Sequence, residues 1–193
     1  MKITDDLLPI NEYSRPGRKM KDYLGIILHW TGNPRTTARQ NRVFFADRTR
    51  GTLGYGSAHY IIDFTGEIIR CIPDDEIAYH CGSSKPDPTS GKVYTDWARE
   101  KFGPYAEYYK TSSPNNCTIG IELCTMDDIG NFREVTVEEA IELTAHLCRT
   151  YRIPVENIGR HYDVVGWKDC PRLWVNKPQL FADFKEQVKE ALS

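Results

Sequence analysis

The chain has 193 residues, 40% of them apolar, and a formal net charge of −2 at pH 7, which predicts one domain, residues 1–193, with a substantial buried core. Acidic and basic residues are interspersed, whereas nucleic-acid-binding proteins concentrate basic residues on one face, so we expect no nucleic-acid partner. No apolar run approaches the roughly 18 residues of a membrane span and no apolar leader is visible, so we expect synthesis in the cytoplasm without a signal peptide.

The N-terminal part of the chain predicts an arm, a buried strand and a helix. Residues 1–22 are polar and interrupted by prolines, which indicates an arm wrapped over the surface. Residues 23–30, with the sequence YLGIILHW, form a short apolar run bounded by Thr-Gly-Asn-Pro, which is typical of a buried central strand. Thr36 or Thr37 is suited to cap a helix that continues to about Arg50.

A β-hairpin and a long irregular segment follow. The runs at residues 59–63 and 67–72 flank Phe-Thr-Gly, which predicts two antiparallel strands. Residues 82–116 predict a long insertion loop with one short helix near residues 97–102. We interpret this segment either as a wall of a substrate groove, with aromatic faces for sugar rings, or as an ordered surface excursion with a small core of its own. The aromatic residues in question are Trp97, Tyr105, Tyr108 and Tyr109.

The strand predicted at residues 117–124 carries an acidic residue. Alternation along the strand turns Ile119, Ile121 and Leu123 to one face and Glu122 to the other. An acidic side chain in the middle of a sheet needs a partner or a function. Glu122 therefore either pairs with a buried lysine or takes part in chemistry.

The C-terminal part predicts two helices and indicates the fold class. Residues 136–151 carry an apolar stripe at helical spacing, with Thr136 and Glu139 in the positions of a capping box. Residues 178–192 begin with a proline, which suits the first turn of a helix. Because strands and helices are mixed along the chain, we predict an α/β (mixed α+β) fold with a single central mixed β-sheet flanked by helices.

Three side chains that bind zinc in proteins stand where rigid elements are predicted to end: His29, His161 and Cys170. A catalytic zinc site uses three protein ligands and leaves one position open, and a thiolate favours zinc over magnesium or calcium. His161 and Cys170 are close enough in sequence, with Gly166 between them, for one loop to bring both to one ion. Taken singly, such residues are more often packed in the core, and we interpret the other five cysteines as small, reduced core residues.

Five short motifs resemble one known family. In chain order they are ILHWTG, SAHYIID, IAYHCG, TIGIEL and HYDVVGWKDCP, and the resemblance extends over residues 23–175. They are similar to motifs of the zinc-dependent N-acetylmuramoyl-L-alanine amidases related to phage T7 lysozyme and to peptidoglycan recognition proteins, and the GIE strand resembles endolysin-type members. The resemblance implies the T7 lysozyme-like fold, one Zn²⁺, and hydrolysis of the amide bond between N-acetylmuramic acid and L-alanine in bacterial peptidoglycan.

The resemblance also implies roles for individual residues. The three candidate ligands match the metal ligands of the family, although many relatives have aspartate where Cys170 stands. Glu122 matches the general base. Lys168 matches a lysine that stabilises negative charge developing on the carbonyl oxygen, and a solvated loop lysine is the alternative. His80 matches a histidine that lines the substrate groove.

We assign supporting or structural roles to several residues near these positions. Arg160 and Asp163 are candidates to fix the tautomer of a ligand histidine. We interpret His59 as a structural residue of the hairpin. In T7 lysozyme a tyrosine precedes the histidine that His59 matches, whereas this chain has Ala58, and strand alternation turns Tyr60 to the opposite face. This departure favours a carboxylate base over a tyrosine.

Other functions remain open at this level. A cytoplasmic amidase that recycles soluble muropeptides would use the same site, and a peptidoglycan-binding module would keep the fold without catalysis. A metal-free cysteine hydrolase would use Cys170 as nucleophile and His161 as base. We favour a monomeric cell-wall lytic amidase of the endolysin type, which acts on peptidoglycan after its release by phage or prophage lysis.

Overall fold

The structure, a computed structural model, describes residues 1–107 and 112–193, and a single six-stranded sheet lies at its centre. The strands are β1 (Ile3–Asp5), β2 (Gly25–Trp30), β3 (Tyr60–Ile62), β4 (Ile68–Arg70), β5 (Thr118–Leu123) and β6 (Ile158–Arg160). Their order is β1-β4-β3-β5-β2-β6, and neighbouring strands are parallel except for the antiparallel pair of β3 and β4. The predicted mixed sheet is therefore confirmed.

Six α-helices surround the sheet within the described residues. They are α1 (Ala38–Asp47), α2 (Asp96–Phe102), α3 (Glu134–Tyr151), α4 (His161–Val165), α5 (Arg172–Asn176) and α6 (Pro178–Leu192). Single 3₁₀ turns occupy Arg48–Arg50, Gly103–Ala106, Pro114–Asn116 and Val155–Asn157. The hairpin and the predicted helices near residues 37–50, 97–102, 136–151 and 178–192 all appear.

The two faces of the sheet bury different sets of apolar side chains. One face packs against α3, α5 and α6, where inward-facing isoleucines of β2 and β5 meet Trp174 and Phe184. The opposite face packs against α1 in one cluster and against α2 and α4 in another. Each fully buried leucine, isoleucine or phenylalanine contributes about 1.5–3 kcal/mol relative to exposure, so both layers stabilise the central strands strongly. The alternation predicted for β5 is confirmed.

The caps of two helices show where local sequence does and does not determine a helix start. Thr37 caps α1 in a full capping box with Gln40. The capping box predicted at Thr136 is wrong, because α3 begins two residues earlier, at Glu134, and Arg133 precedes it without a side-chain cap. The Thr136 hydroxyl instead donates to the carbonyl oxygen of Asp63 at 2.9 Å, so tertiary packing has recruited the residue.

The N-terminal arm adds a strand that the sequence did not predict. β1 pairs in parallel with β4 at the edge of the sheet, and the rest of the arm is held by backbone hydrogen bonds and side-chain contacts. Arg15, for example, forms a largely buried ion pair with Glu76 at 2.8 Å. The arm therefore belongs to the folded unit.

The described residues of the segment at 82–116 contribute to an apolar cluster that they share with β2 and α4, so this cluster is part of the main core. Phe102 is fully buried in a cluster with β2 and α4. Trp97 packs against the same cluster, and a Cβ added to Gly159 would lie 2.3 Å from its ring, so β6 needs a glycine there. Tyr105 also packs against this cluster. Tyr108 and Tyr109 lie outside the described residues.

No helix in the described part of the chain is long and apolar enough to span a membrane.

Candidate metal centre and active site

Three candidate ligand atoms converge at the carboxyl edge of the sheet. His29 is near the end of β2, and His161 is the first residue of α4, directly after β6. Because β2 and β6 are parallel neighbours, their carboxyl ends lie at the same edge. The Nδ1 atoms of His29 and His161 are 3.1 Å apart, and Cys170 Sγ is 3.8 Å from His29 Nδ1. All three ligand atoms lie within 4.8 Å of one another, so the set could hold one metal ion.

The loop that carries Cys170 is tied back to α4. The backbone N–H of Tyr162 donates to the Cys170 carbonyl oxygen at 3.1 Å, which closes the loop between the second and third candidate ligands. Gly166 ends α4 with φ of 79°, a left-handed conformation that favours glycine. This reversal returns the chain to the histidine cluster and supports the single-loop arrangement expected from the sequence spacing.

Burial sets the protonation of the three candidate ligands. Burial lowers the pKa of His29 and of His161 well below their ordinary values, and the positive charge of Lys168 adds to this. Neutral imidazole is the form that binds metals. Burial also raises the pKa of the Cys170 thiol to about 12, so in the absence of a cation the thiol keeps its proton. A bound cation would have to displace that proton to obtain a thiolate ligand.

Glu122 lies beside the cluster because of strand register. β5 pairs with β2 so that Glu122 is directly opposite His29, and the two residues share one face of the sheet. Glu122 Oε2 is buried and has no hydrogen-bond partner among the described residues. Burial raises the pKa of Glu122 to about 8, while the charges of Lys168 and Arg48 oppose this rise. Glu122 forms no ion pair in the described part of the chain, so pairing with a buried lysine does not explain it.

A pocket of about 490 Å³ opens over the cluster and runs toward α1. Its walls come from the end of β2, from α1 and the turn after it, from the loop before β3, from the segment around His80, and from the loop that carries Lys168 and Cys170. Asn115, Glu122 and His161 also line it. Its aromatic and cationic lining is Trp30, Phe44, Phe45, Arg48, Tyr55, Tyr79 and Lys168. Lys168 itself is exposed at the rim, where it can meet a bound molecule.

His80 also borders this pocket, but its ring contacts a candidate ligand. His80 Nδ1 lies 3.0 Å from His29 Nε2, and His80 Nε2 lies 3.1 Å from the carbonyl oxygen of Thr118. Burial lowers the pKa of His80 to about 3, so its ring is neutral. The two rings meet edge-on with centroids 5.2 Å apart. The structure thus brings five of the six predicted site residues into contact or register, with Lys168 at the rim.

Other predicted roles are tested by the surrounding hydrogen bonds. Arg160 and Asp163 form an ion pair with each other at 2.6 Å, and Arg160 also donates to the Trp174 carbonyl oxygen. They therefore brace the start of α4 rather than contact an imidazole. His59 is buried and accepts the N–H of Gly120 on Nδ1, which confirms its structural role. The other ring nitrogen of His59 bonds the Glu76 carbonyl oxygen.

Sequence reasoning missed two residues of the site. Arg48, in the turn after α1, lines the pocket, and its guanidinium lies over the Phe44 ring at 4.9 Å. Asn115 Oδ1 accepts the backbone N–H groups of three consecutive residues, 80–82, at 2.9–3.2 Å. No local pattern marks either residue as part of a site. Arg48 is placed by the turn that follows α1, and Asn115 by the turn that precedes β5.

Two imidazoles, a thiol and an unpartnered carboxyl group thus lie together at the carboxyl edge of a mixed sheet, an arrangement that could hold a metal ion. The family described as N-acetylmuramoyl-L-alanine amidase (Amidase_2) matches residues 19–173. The chain belongs to this family, which confirms the resemblance of its motifs.

Curated relatives support the same assignment over the full length of the chain. A "Probable N-acetylmuramoyl-L-alanine amidase" of Bacillus licheniformis is 33% identical over 192 residues, which is 100% of this chain and 48% of the relative. The N-acetylmuramoyl-L-alanine amidase BlyA of Bacillus subtilis (strain 168) is 34% identical, over 99% of this chain and 48% of the relative. The chain therefore spans about half the length of the curated relatives that it matches.

Solved structures confirm the fold. The catalytic domain of XlyA matches with a TM-score of 0.68 and 24% identity, over 97% of this chain and 99% of that one. The solution structure of the PlyG catalytic domain matches with a TM-score of 0.72 and 20% identity, over 100% and 96%. The predicted amidase-type α/β fold is therefore correct.

Proposed function

We propose that this chain hydrolyses the amide bond between N-acetylmuramic acid and L-alanine in bacterial peptidoglycan, with one Zn²⁺ held by His29, His161 and Cys170. The observation that carries the proposal is the buried, unpartnered Oε2 of Glu122 beside three converging ligand atoms. An ionisable group left without a partner in a pocket is poorly explained by stability and well explained by chemistry. Membership of the amidase family supplies the reaction class.

The donor set fits zinc. One sulfur and two imidazole nitrogens suit this ion, and three protein ligands leave a position for solvent or substrate. The thiol sulfur disfavours magnesium and calcium, which prefer oxygen ligands. When bound in such a site, zinc acts as a Lewis acid and lowers the pKa of water that it contacts to roughly 7.

Glu122 is the proposed general base and acid. Its Oε2 takes a proton from the attacking water and then delivers that proton to the departing amide nitrogen, so the carboxylate is regenerated at the end of the cycle. The raised pKa of Glu122 suits a group that must both accept and release a proton near neutral pH. The register with His29 keeps Glu122 on the same face as the ligands.

Lys168 is the proposed stabiliser of negative charge. Its ammonium group lies at the pocket rim, two residues before Cys170, where it can approach the carbonyl oxygen as that oxygen becomes anionic. Arg48 and the tyrosines at the other end of the pocket would hold the remainder of the substrate. We propose that the enzyme acts as a monomer on cell-wall material.

Metal analysis combined with lysis assays tests the proposal. The purified chain is expected to contain about one zinc per molecule, to clear suspensions of intact cell walls, and to lose this activity in a chelator and regain it with added zinc. Unchanged lysis after metal removal would favour a cysteine hydrolase, although the high pKa of the buried Cys170 thiol argues against a free nucleophile.

The same preparation separates the remaining alternatives. Cleavage of soluble muropeptides with no clearing of intact walls would indicate a recycling amidase. Binding to walls without release of peptide stems, in zinc-loaded protein, would indicate a binding module.

A further inference from the structure

We propose that His80 is a positioning residue that holds His29 in the tautomer protonated on Nε2, so that the unprotonated Nδ1 of His29 faces His161 and Cys170. The role differs from lining the substrate groove and rests on the proposed metal-site function. It is carried by an unbroken series of hydrogen bonds from the Thr118 carbonyl group through His80 to His29.

The direction of these hydrogen bonds follows from one carbonyl oxygen. The Thr118 carbonyl oxygen can only accept, so His80 Nε2, 3.1 Å away, must carry the proton. In a neutral ring the other nitrogen then has a lone pair and can only accept. His29 Nε2, 3.0 Å from His80 Nδ1, must therefore donate, which leaves the lone pair of His29 on Nδ1.

The Thr118 hydroxyl group agrees with this direction. Its oxygen lies 2.7 Å from the Pro114 carbonyl oxygen, which can only accept, so the hydroxyl proton is committed there. The same hydroxyl oxygen lies 3.2 Å from His80 Nε2 and can only accept from it. Two oxygen acceptors thus face His80 Nε2, and a proton on that nitrogen satisfies both. The Cys81 sulfur, a weak hydrogen-bonding group, lies farther away at 3.9 Å.

The position of the His80 ring is fixed by its surroundings. Asn115 Oδ1 accepts the N–H of His80 at 3.2 Å and those of the next two residues, which holds this turn of the chain. Gly120 leaves room for the ring, because a Cβ at that position would lie 2.6 Å from His80 Cγ. His80 is only 8% exposed. With both ring nitrogens engaged, little of the side chain remains for a substrate.

Zinc affinity measures the proposed role directly, without recourse to activity. His80→Leu removes the acceptor for His29 Nε2, and His80→Asn keeps an acceptor oxygen close to the position of Nδ1. We expect competition with a chromophoric chelator to show a loss of zinc affinity of about 10- to 100-fold for His80→Leu. For His80→Asn we expect a much smaller loss. Equal affinity of His80→Leu and the wild type would overturn the proposal.

A matched control and a second measurement guard against misfolding. Tyr79→Phe alters the adjacent pocket wall and should leave zinc affinity unchanged; a loss as large as that of His80→Leu would also overturn the proposal. In ¹⁵N-histidine NMR of the zinc-loaded wild type, His80 and His29 should both be protonated on Nε2. A proton on His80 Nδ1 would refute the series of bonds whatever the variants do. If the wild type binds no zinc, the proposed function fails together with this role; if it binds zinc and the tautomers differ, only this role fails.

Discussion

The proposed chemistry depends most on the carboxyl group of Glu122. Glu122→Gln keeps the shape of the side chain and removes its ability to accept a proton. We expect the rate of wall clearing to fall by about 100-fold or more, since general acid–base catalysis contributes roughly 10²–10⁴-fold. The zinc content should be unchanged, because Glu122 is not among the ligands. If Glu122→Gln retains most of the activity, the assignment of the base is wrong.

The same substitution should change how stability depends on pH. Burial raises the pKa of Glu122 from 4.5 to about 8, so the folded chain keeps this proton to a higher pH than the unfolded chain. Stability is therefore lost as the pH rises from about 5 through 8, because the unfolded chain ionises Glu122 freely over that range.

Thermal melting of the metal-free protein at several pH values tests the direction of this dependence of stability on pH. At pH 9 the Glu122→Gln variant should melt above the wild type, by about 2–4 °C for each 1 kcal/mol that ionisation costs. At pH 4 this advantage should vanish, since Glu122 is protonated in both states. A difference that grows on acidification would contradict the direction of the pKa shift.

Lys168 should contribute to rate rather than to metal binding. Its side chain is exposed at the rim of the pocket and is not one of the three candidate ligands. We expect Lys168→Ala to lower kcat by about 10²–10³-fold, the usual effect of losing one charge-stabilising group, with zinc affinity nearly unchanged. Lys168→Arg keeps the charge and should recover part of the rate. Full activity of Lys168→Ala would identify the residue as a solvated loop lysine.

Among the secondary-structure elements, α1 has an N-terminal cap whose contribution to stability can be measured. Thr37 accepts from the Gln40 N–H, and the Gln40 side chain accepts from the Thr37 N–H. Thr37→Ala should lower the free energy of unfolding by about 1 kcal/mol, while Thr37→Ser, which keeps the hydroxyl, should stay close to the wild type. Urea titration measures both, and equal losses for the two variants would show that the hydroxyl is not the cause.

Sequence patterns predicted the elements that have strong local signals. The apolar stripe of α3 and the alternation of β5 each repeat within a few residues, and both appear where expected. β1 was missed because its identity depends on pairing with β4, more than 60 residues away. The start of α3 was misplaced because Thr136 bonds to Asp63, a partner that no local pattern reveals.

The residues of the candidate site also divide into those that the sequence predicts and those that only the fold reveals. Cys170 and its two partner histidines were predicted from residue type, spacing and family motifs, and the structure brings them together. The contact between His80 and His29 could not be predicted, because it joins residues 51 positions apart through a hydrogen bond. Only the folded arrangement of the turn held by Asn115 reveals it.

For the whole molecule, a bound metal ion should be linked to global stability. The candidate ligands come from β2, α4 and the loop after α4, so a cation that binds all three favours the folded chain. Zinc at about 1,000 times its Kd should add about 4 kcal/mol, which raises Tm by about 8–16 °C. Cys170→Ser should remove most of this rise. Differential scanning fluorimetry with and without zinc gives the result, and a zinc-independent Tm in the wild type would exclude the site.

The pairing of His29 with Glu122 across adjacent strands has a consequence for how such a protein can diversify. Neighbouring strands lie about 4.8 Å apart. The pairing of β2 with β5 therefore sets the interval between the His29 imidazole and the Glu122 carboxyl group. The surface loops among the roughly ninety residues that join the two positions can lengthen, shorten or change in sequence while that interval stays constant. Under the proposed function, remodelling of these loops should therefore change which substrates are admitted before it changes the bond that is cut.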